Sequence, residues 1–465
     1  MESNPVSAYG EWLARTPADW PEPAREAARA AFIDVVSVSV PGAVHPVTGK
    51  VFEAARHWGG GPSTVIGKGA KLAAPWAALV NGTAAHALDF DDNFDPAKAH
   101  ASAVLVPAIL ALAEQQGSTG AECVDAYIVG LQILGRAGQG VNPYHRNRGW
   151  HATATMGAIG AAAACTRLLR LSAEQAAYAL SISTSMAAGS MAQFGTDTKP
   201  LHAGLAANAG VMAASLARAG LTAGLGTFDG PTGINRLMVG PDYEVLRDNL
   251  ETVDHGQTMR FDTASVGEPL LILSNGLKLK RFPNCGSCHR AMDALLMLIE
   301  REGFTAGEVA RIDVRAPLSH LNNLMYTDPR DAAQAKFSLE YALAVLLLTG
   351  TCTLADFEHE AWMRPGVRAL YPLVHRHPVD LPEGRFPTEV EVTRKDGRSF
   401  SAAVAMPAGS IAAPFTAAQL WAKFDGCVGG TIAPGIASAL RNALESLPDL
   451  STIAPLMKPL EGPFE

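Results

Sequence analysis

The sequence contains few charged and few aromatic residues for its length. Only 18% of its 465 residues are Asp, Glu, Lys or Arg and 7% are aromatic, whereas 48% are hydrophobic. This composition is typical of a well-buried globular protein. Because a single hydrophobic core stops growing at roughly 250 to 300 residues, we expect the chain to form two domains.

Positive charge and long hydrophobic runs are also scarce. The formal net charge is -8, and nucleic acids or anionic membranes attract proteins through an excess of Lys and Arg, so neither partner is expected. The Ala-rich run after Thr155 is interrupted by glycine and ends at Thr166, which predicts no membrane span. The N-terminus has no basic segment followed by an apolar one, so we expect no signal peptide and a cytoplasmic location.

Cofactor motifs are largely missing as well. The six cysteines are dispersed, and only Cys285 and Cys288 lie close together, so reduced thiols are expected. Together with His289 they match a haem c attachment pattern, but that chemistry requires export. As a zinc site they offer at most three ligands, and an iron-sulfur cluster needs more clustered cysteines. With no Walker A sequence either, the residues support neither metal nor haem nor nucleotide.

Apolar residues recur at helical spacing through the first part of the chain. A helix is predicted from Pro23 to Val40, ending at the breaker pair Pro41-Gly42. Further helices are predicted at 75–88, 101–116, 123–137, 152–171, 173–189 and 204–220. Short connections between helices of this kind indicate a helical bundle.

The pattern changes near residue 266. Residues 310–317 alternate as a strand does, and residues 388–407 predict two strands around an Asp-Gly turn. A helix closed by Gly350 lies between them, and amphipathic helices return near the C-terminus. We therefore predict a mainly α protein. A large all-helical domain would be formed by both chain ends (1–265 plus 406–465), with a smaller inserted α+β domain (266–405).

An acidic break interrupts two apolar helical runs between Ala78 and Glu114. Asp89, Asp91, Asp92 and Asp95 stand beside apolar neighbours in this stretch. Because ionised carboxylates are costly to bury unless they are paired, the break is the first candidate for an active site. His86, in the preceding helix, is predicted to be a core histidine rather than a catalyst.

Other polar residues stand in apolar or glycine-bearing contexts. Besides Asp89 and Asp92 they are His100, the segment Tyr144 to His151, Lys199 with His202, Lys278 with Lys280, and Tyr326. Several cations with histidines and a carboxylate suit a small anionic substrate whose C–H bond adjoins a carboxylate. The cations would hold the substrate while a histidine or aspartate moves the proton. A plain collection of surface and cap residues is the alternative, with the two lysines near 280 as ordinary solvated charges. Pro200 biases Lys199 toward an extended conformation in a loop or at a helix start.

Six blocks in order carry a family resemblance. The blocks GTAAHALDFDDNF, HASAVLVPAILALAE, GWHATATMGAIGAAAA, TKPLHAGLAANAGV, GTFDGPTG and KRFPNCGSCHRAMDALL resemble the MmgE/PrpD group, the 2-methylcitrate dehydratase family. This group also includes cis-aconitate decarboxylase and iminodisuccinate epimerase. The resemblance spans about residues 25 to 410. It implies a homodimer that uses neither metal nor organic cofactor on small di- or tricarboxylates, with the site in the cleft between the two domains.

The resemblance also implies roles for individual residues. The four residues with implied catalytic roles are Asp89 in the DFDD block, His100, His151 in the GWH block and Lys199 in the TKP block. After His100, Ala101 replaces the proline that is usual in the family. Asp89, His100 and His151 would handle the proton. Lys199 and Lys280 would bind anionic oxygens. The full set of expected substrate-binding residues is Asp92, Tyr144, His202, Lys280, Cys285 and Tyr326.

The expected activity is a lyase or isomerase reaction that begins with removal of a proton α to a carboxylate and ends in dehydration. The alternatives are epimerisation of an iminodisuccinate-like substrate, decarboxylation of the cis-aconitate type, and a catalytically silent protein that binds carboxylates. The loop Asn93 to Ala99 departs from the dehydratase form and contains the extra acid Asp95. This loop is our candidate for the segment that selects the substrate.

Overall fold

The computed structural model describes residues 4–251, 255–381 and 385–464, which form two compact units. The first unit comprises Met1–Leu277 with Thr416–Glu465, and the second comprises Lys278–Phe415. Both boundaries lie later in the chain than the predicted ones at 265 and 405. The reason for the first is that the segment after 265 packs on the first unit, where the Gln132 side chain donates to the carbonyl of Val266 at 2.7 Å.

The first unit is mainly helical. Its helices up to residue 277 are α1 (Pro5–Arg15), α2 (Glu22–Val44), α3 (Pro46–Ala55), α4 (Ala74–His86), α5 (Ser102–Gln116), α6 (Gly120–Val141), α7 (Tyr144–Asn147), α8 (Ala152–Leu168), α9 (Ala173–Thr184), α10 (Thr198–Arg218), α11 (Ile234–Val239), α12 (Tyr243–Asp248) and α13 (Leu271–Ser274). The predicted helices at 75–88, 101–116 and 152–171 correspond to α4, α5 and α8.

The first unit also contains an antiparallel hairpin, so the expectation of an all-helical domain is wrong on this point. Strands β1 (Gly60–Val65) and β2 (Ala70–Leu72) pair with each other. The side chain of Asn81 on α4 accepts from the Ile66 amide and donates to the Thr64 carbonyl, both at 2.9 Å. The buried Asn81 side chain thus fixes the end of β1 to α4.

Helix α2 passes through Pro41, although Pro41-Gly42 was predicted to end it. A Cβ on Gly42 would lie 2.0 Å from the carbonyl oxygen of Ala84, so this glycine lets α2 and α4 approach at backbone distance. The packing of the two helices therefore outweighs the hydrogen bond that Pro41 cannot donate.

Helix α2 is also long and apolar enough to cross a membrane by length and composition alone. Of its most apolar window, 72% is buried inside the structure. A buried core helix meets the same criteria, so the helix is accounted for by its packing.

Helices α4 and α10 cross at two glycines. A Cβ on Gly204 would lie 2.1 Å from the Leu79 carbonyl oxygen, and one on Gly82 would lie 2.8 Å from the Gly204 Cα. Only glycine permits this approach. The crossing brings the last residue of α4, His86, toward the first turn of α10, where Lys199 is located.

In its described residues, 278–381 and 385–415, the second unit combines a four-stranded sheet with five α-helices. Its helices are α14 (Gly286–Glu302), α15 (Leu318–Asn323), α16 (Ala332–Ala335), α17 (Leu339–Thr349) and α18 (Pro365–Arg368). The strands β3 (Val309–Pro317), β4 (Val374–Val379), β5 (Thr388–Arg394) and β6 (Ser399–Val404) lie in the order β4-β3-β5-β6, with only β3 and β4 parallel. Fully buried side chains of α14, α17, β3 and β5 form its core, among them Leu295, Leu343, Val314 and Val390.

The predicted strands of the second unit are confirmed, since residues 310–317 lie in β3 and the Asp-Gly turn joins β5 to β6. Gly350, at φ 74°, ends α17 as predicted. Strand β4 was not anticipated, because its sequence VHRHPV has little apolar alternation and contains a proline.

The chain returns to the first unit through α19 (Ala417–Val428), α20 (Pro434–Glu445) and α21 (Ala454–Met457). Short 3₁₀ helices complete the described structure at Met191–Gln193, Ala306–Glu308, Leu354–Phe357, Ala361–Met363, Tyr371–Leu373, Leu447–Asp449 and Lys458–Leu460. On α19, Lys423 makes a 2.6 Å ion pair with Asp34 of α2, and both side chains are almost fully buried. The Lys423 ammonium also donates to the carbonyl of Phe90 at 2.8 Å.

Replacing Lys423 with methionine is expected to destabilise the protein by about 3–5 kcal/mol, because it leaves a buried carboxylate without its lysine. Urea unfolding measured by circular dichroism checks this. The double variant Asp34→Asn/Lys423→Met removes both charges and is expected to recover most of the loss. If the double variant is as unstable as the single one, the ion pair is not the cause.

Candidate active site

Four helix termini converge on a cluster of histidines in the first unit. Helix α4 ends at His86, α5 begins two residues after His100, α8 begins directly after His151, and the first turns of α10 carry Lys199 and His202. The ring centroids lie 4.5 Å apart for His86 and His100, 6.1 Å for His86 and His151, and 5.2 Å for His151 and His202.

Asp89 and Lys199 form a buried ion pair at the centre of this cluster. The Lys199 ammonium donates to Asp89 Oδ1 at 2.6 Å, with both side chains at least 93% buried. Asp89 has a left-handed backbone, φ 53°, which aspartate tolerates better than most residues. The ammonium also lies 5.5 Å from the centre of the Phe194 ring. The pair places a lysine ammonium among the buried histidines of the cluster.

The hydrogen bonding of His100 defines its neutral tautomer. Nδ1 lies 2.7 Å from the carbonyl oxygen of Asp92, and a carbonyl can only accept, so Nδ1 carries the hydrogen. In neutral His100 the free lone pair is therefore on Nε2, which faces Asp89 Oδ1 at 3.9 Å. The His100 amide donates to Thr153 at 3.0 Å and fixes the backbone. His100 Nε2 is thus a proton acceptor that lies beside the ion pair.

His86 is held in a similar way by Asp91. Its Nδ1 lies 2.9 Å from both carboxylate oxygens of Asp91, and both side chains are fully buried. Burial lowers the pKa of His86 to about 3, with Lys199 and His100 adding to this effect and Asp91 opposing it. Burial alone would raise the pKa of Asp91, but His86 and His100 outweigh it and hold that pKa well below its ordinary value. A neutral His86 therefore donates from Nδ1 to an ionised Asp91.

His151 and His202 are hydrogen bonded to each other through their Nδ1 atoms at 2.9 Å. Burial lowers the pKa of both rings, and the nearby Lys199 cation lowers them further. One ring must donate and the other accept, so the two tautomers are coupled. When His151 Nδ1 donates to His202, His151 Nε2 has a lone pair, and when Nδ1 accepts, Nε2 carries the hydrogen.

Asp92 points away from the cluster. Its two carboxylate oxygens accept from the hydroxyl of Ser102 and, at 3.2 Å, from the Ser102 amide at the start of α5. The Ser102 hydroxyl also contacts Tyr127 at 2.6 Å. Burial raises the pKa of Asp92 to about 7. Asp92 therefore forms hydrogen bonds with the first residue of α5. These contacts do not support the predicted substrate-binding role.

Comparison with known proteins identifies the family. Residues 10–246 match the MmgE/PrpD N-terminal domain, and residues 282–448 match the MmgE/PrpD C-terminal domain. The chain belongs to the MmgE/PrpD family.

The chain is similar over most of its length to several proteins named cis-aconitate decarboxylase. It is 29% identical to the mouse protein over 418 residues, which cover 86% of this chain and 81% of that protein. It is 29% identical to the human protein over 423 residues, 86% of this chain and 82% of that protein. The match to the protein of Aspergillus terreus (strain NIH 2624 / FGSC A1156) is 27% over 485 residues, 96% and 94% of the two chains. These relatives are enzymes and support a family-level lyase function.

Within this MmgE/PrpD chain, three of the predicted site residues belong to the second unit. Lys280 is 1% exposed, so the alternative that it is an ordinary solvated charge is wrong. Cys285, half-buried at the start of α14, donates its amide to the carbonyl of Lys336 at 2.9 Å. Tyr326, also half-buried, donates its amide to the Phe337 carbonyl at 3.3 Å. The turn before α17 thus brings Cys285 and Tyr326 near each other.

Tyr144 is not brought into the histidine cluster of this MmgE/PrpD chain. It is half-buried at the start of α7 and, within the described residues, makes no hydrogen bond or ring contact with the cluster. Its neighbour His145 is fully buried instead, with Nε2 2.9 Å from the hydroxyl of Thr155. Predicted substrate binding by Tyr144 stays a prediction.

The sequence analysis did not include His86 or Asp91 in its set of site residues, and the structure has both of them beside His100. His86 was assigned to the core, and it is buried, but its ring lies against His100. A histidine on the last helical residue with an aspartate five positions later was the available signal. The sequence of the acidic break could not show which of its carboxylates contacts His86.

Burial without a charged partner lowers the pKa of His145 to about 3. Between pH 6.5 and 3, His145 is neutral in the folded protein but protonated in the unfolded protein. The free energy of unfolding therefore falls as the pH drops through this range. We expect His145→Gln, which can keep the bond to Thr155, to reduce this loss by about 1 kcal/mol per pH unit. Urea unfolding at pH 7, 6 and 5 measures it, and equal slopes for the two proteins would contradict it.

Proposed function

We propose that this protein is a lyase that removes a proton from the carbon next to a carboxylate of a small di- or tricarboxylate and then expels water. The observation that carries the proposal is the His100 Nε2 lone pair beside the buried Asp89–Lys199 ion pair. Every group required for the proton transfer is a side chain of the cluster.

The cluster is suited to an anionic substrate. Lys199 is a cation, and α5, α8 and α10 all begin at the cluster, where the helix dipole favours negative charge. A substrate carboxylate that binds Lys199 would share the ammonium with Asp89. As the α-carbanion forms, its charge spreads onto that carboxylate, so a fixed cation stabilises the transition state more than the ground state.

Proton transfer is assigned to histidines. His100 Nε2 takes the proton from the α carbon. Nδ1 donates its hydrogen to the Asp92 carbonyl, so the lone pair that can act as a base is on Nε2. The electron pair forms the carbon–carbon double bond as the C–O bond breaks, and the leaving hydroxide takes a proton to become water. His151, whose hydrogen position is coupled to His202, is our candidate donor for that proton.

Decarboxylation of a cis-aconitate-like substrate is the second candidate, favoured by the names of the relatives over 81–94% of their own lengths. It needs a proton donor to carbon after CO₂ leaves, a role open to His151. An epimerase acting on an iminodisuccinate-like diacid would share the first proton transfer and return the proton to the opposite face. The substrate-selecting role of the loop 93–99 is part of this proposal, as is a homodimer, which light scattering would test.

The test is incubation of the chelator-treated enzyme in heavy water with citrate, 2-methylcitrate, cis-aconitate and imino diacids, followed by NMR. An unsaturated product from a hydroxy acid supports the dehydratase. Release of CO₂ supports the decarboxylase, and deuterium incorporation without elimination supports the epimerase. If no substrate reacts or exchanges while carboxylates still bind, the protein is a catalytically silent carboxylate-binding protein.

A further inference from the structure

We propose that His86, His100 and His151 form a binding site for one divalent transition-metal ion of the zinc class, and that the bound ion excludes substrate from the cluster. This goes beyond the proposed function, whose proton transfer requires no metal. One ring nitrogen from each of the three histidines lies within 4.8 Å of the other two.

The rings are already oriented for an ion by their other nitrogen. His86 Nδ1 is bound to a carboxylate, His100 Nδ1 to a backbone carbonyl and His151 Nδ1 to a second imidazole. Such outer partners set the tautomer and the direction of metal-binding histidines. In all three rings the nitrogen left to bind an ion is Nε2.

Two of these Nε2 atoms have no hydrogen-bond partner in the part of the chain that the structure describes. Within the described residues, His86 Nε2 and His151 Nε2 are buried and make no hydrogen bond, and the two residues are 1% and 4% exposed. Buried polar atoms of this kind are costly unless something pairs with them. Because the hydrogens of His86 and His100 are both held on Nδ1, the lone pair of each neutral ring is on Nε2. Lone pairs repel each other and attract a cation.

The ligand chemistry fits zinc and its neighbours. Neutral imidazole is a preferred ligand of Zn²⁺ and Co²⁺, and three protein ligands with one open position form a common tetrahedral arrangement. Zinc–nitrogen bonds of about 2.0–2.1 Å would require the rings to close on the ion by roughly one ångström. Asp89 and Asp91, whose oxygens also lie within 4.8 Å of His86 and His100 nitrogens, supply compensating negative charge.

Lys199 opposes the ion and gives the proposal a distinctive signature. Its ammonium is close enough to lower the pKa of His86 and His151, so it also repels a divalent cation there. Removing this charge is expected to tighten metal binding by about tenfold. The same substitution is expected to lower kcat/KM by about a thousandfold, so metal affinity and catalysis change in opposite directions.

The experiment is a titration of the chelator-treated full-length protein with Co²⁺, read by visible absorption, and with Zn²⁺, read by competition against the bound Co²⁺. We expect one ion per chain with the intense visible bands of tetrahedral cobalt. His86→Asn and His151→Asn retain an amide donor in place of Nδ1 and remove Nε2. Each is expected to weaken Co²⁺ binding by at least about a hundredfold, more than the loss of an outer partner does.

The matched control is His145→Gln, which changes another buried histidine with a partnerless ring nitrogen outside the cluster and is expected to leave the cobalt spectrum unchanged. Absence of stoichiometric binding to the wild-type protein overturns the proposal, as does binding that survives both asparagine variants or weakens in Lys199→Met. If one of the asparagine variants fails to fold, the other and Lys199→Met decide. Turnover without metal is measured separately, so a protein that binds cobalt but transforms no substrate refutes the lyase proposal alone.

Discussion

Lys199→Met is expected to lower kcat/KM by about a thousandfold, the scale of losing a preorganised charge at the site where negative charge develops. The ammonium is held by Asp89 at 2.6 Å inside the cluster, and both side chains are at least 93% buried. Steady-state kinetics on the substrate identified by the heavy-water screen measure the effect. The variant is also expected to unfold more easily by about 3–5 kcal/mol, since Asp89 loses its buried partner.

Two further variants separate catalysis from folding. Asp89→Asn/Lys199→Met removes both charges and is expected to regain stability without regaining activity. Lys50→Met breaks a lysine–carboxylate contact of the same length, with Asp197, but in a pair that is 70% and 56% exposed. It is expected to change stability by less than about 1 kcal/mol and to leave turnover near wild type. Recovery of activity in the double variant would show that Lys199 serves only to neutralise Asp89.

His100→Asn is expected to lower kcat by about 10²- to 10⁴-fold, the usual contribution of a general base. The asparagine amide can still donate to the Asp92 carbonyl, as Nδ1 does now at 2.7 Å, while the Nε2 lone pair is lost. KM is expected to change little, because Lys199 is untouched. The rate of deuterium exchange at the α carbon is the decisive measurement, since it reports proton removal independently of later steps.

His145→Gln is the control for that experiment as well, because it replaces a buried histidine that is hydrogen bonded to Thr155 and not to the cluster. It is expected to retain exchange and turnover within a few-fold of wild type. Retention of exchange by His100→Asn, with elimination lost, would instead make His100 the acid that protonates the leaving group and require another base.

Four residues that the sequence analysis named lie close together in the structure, but the sequence could not give their arrangement. Asp89, His100, His151 and Lys199 were selected by their chemistry and by family resemblance. Their convergence depends on where four helices begin and end, and helix termini are the least predictable part of a helix. His86 is buried as predicted, but the sequence could not show that its ring lies against His100, because a buried histidine at a helix end looks the same in sequence whatever its neighbours are.

The fold was predictable where local pattern and packing agree. The alternation of β3 and the Asp-Gly turn before β6 were sufficient to place them, and the structure confirms both. Pro41 shows the opposite case, since the contact of Gly42 with α4 holds a helix that local preference would end. Lys199 is a second example: it precedes Pro200 yet lies in the first turn of α10, where hydrogen bonds to preceding turns are not yet required.

The glycine crossing of α4 and α10 has a consequence for how this site can be altered. Backbone atoms in contact at Gly82 and Gly204 define the separation of His86 from Lys199 without the adjustable length of any side chain. Directed evolution toward new substrates is therefore expected to succeed in the 93–99 loop and to fail at the crossing, where even alanine would push the two helices apart. A library that randomises only residues 93–99 leaves this crossing unchanged, and it tests whether the loop selects the substrate.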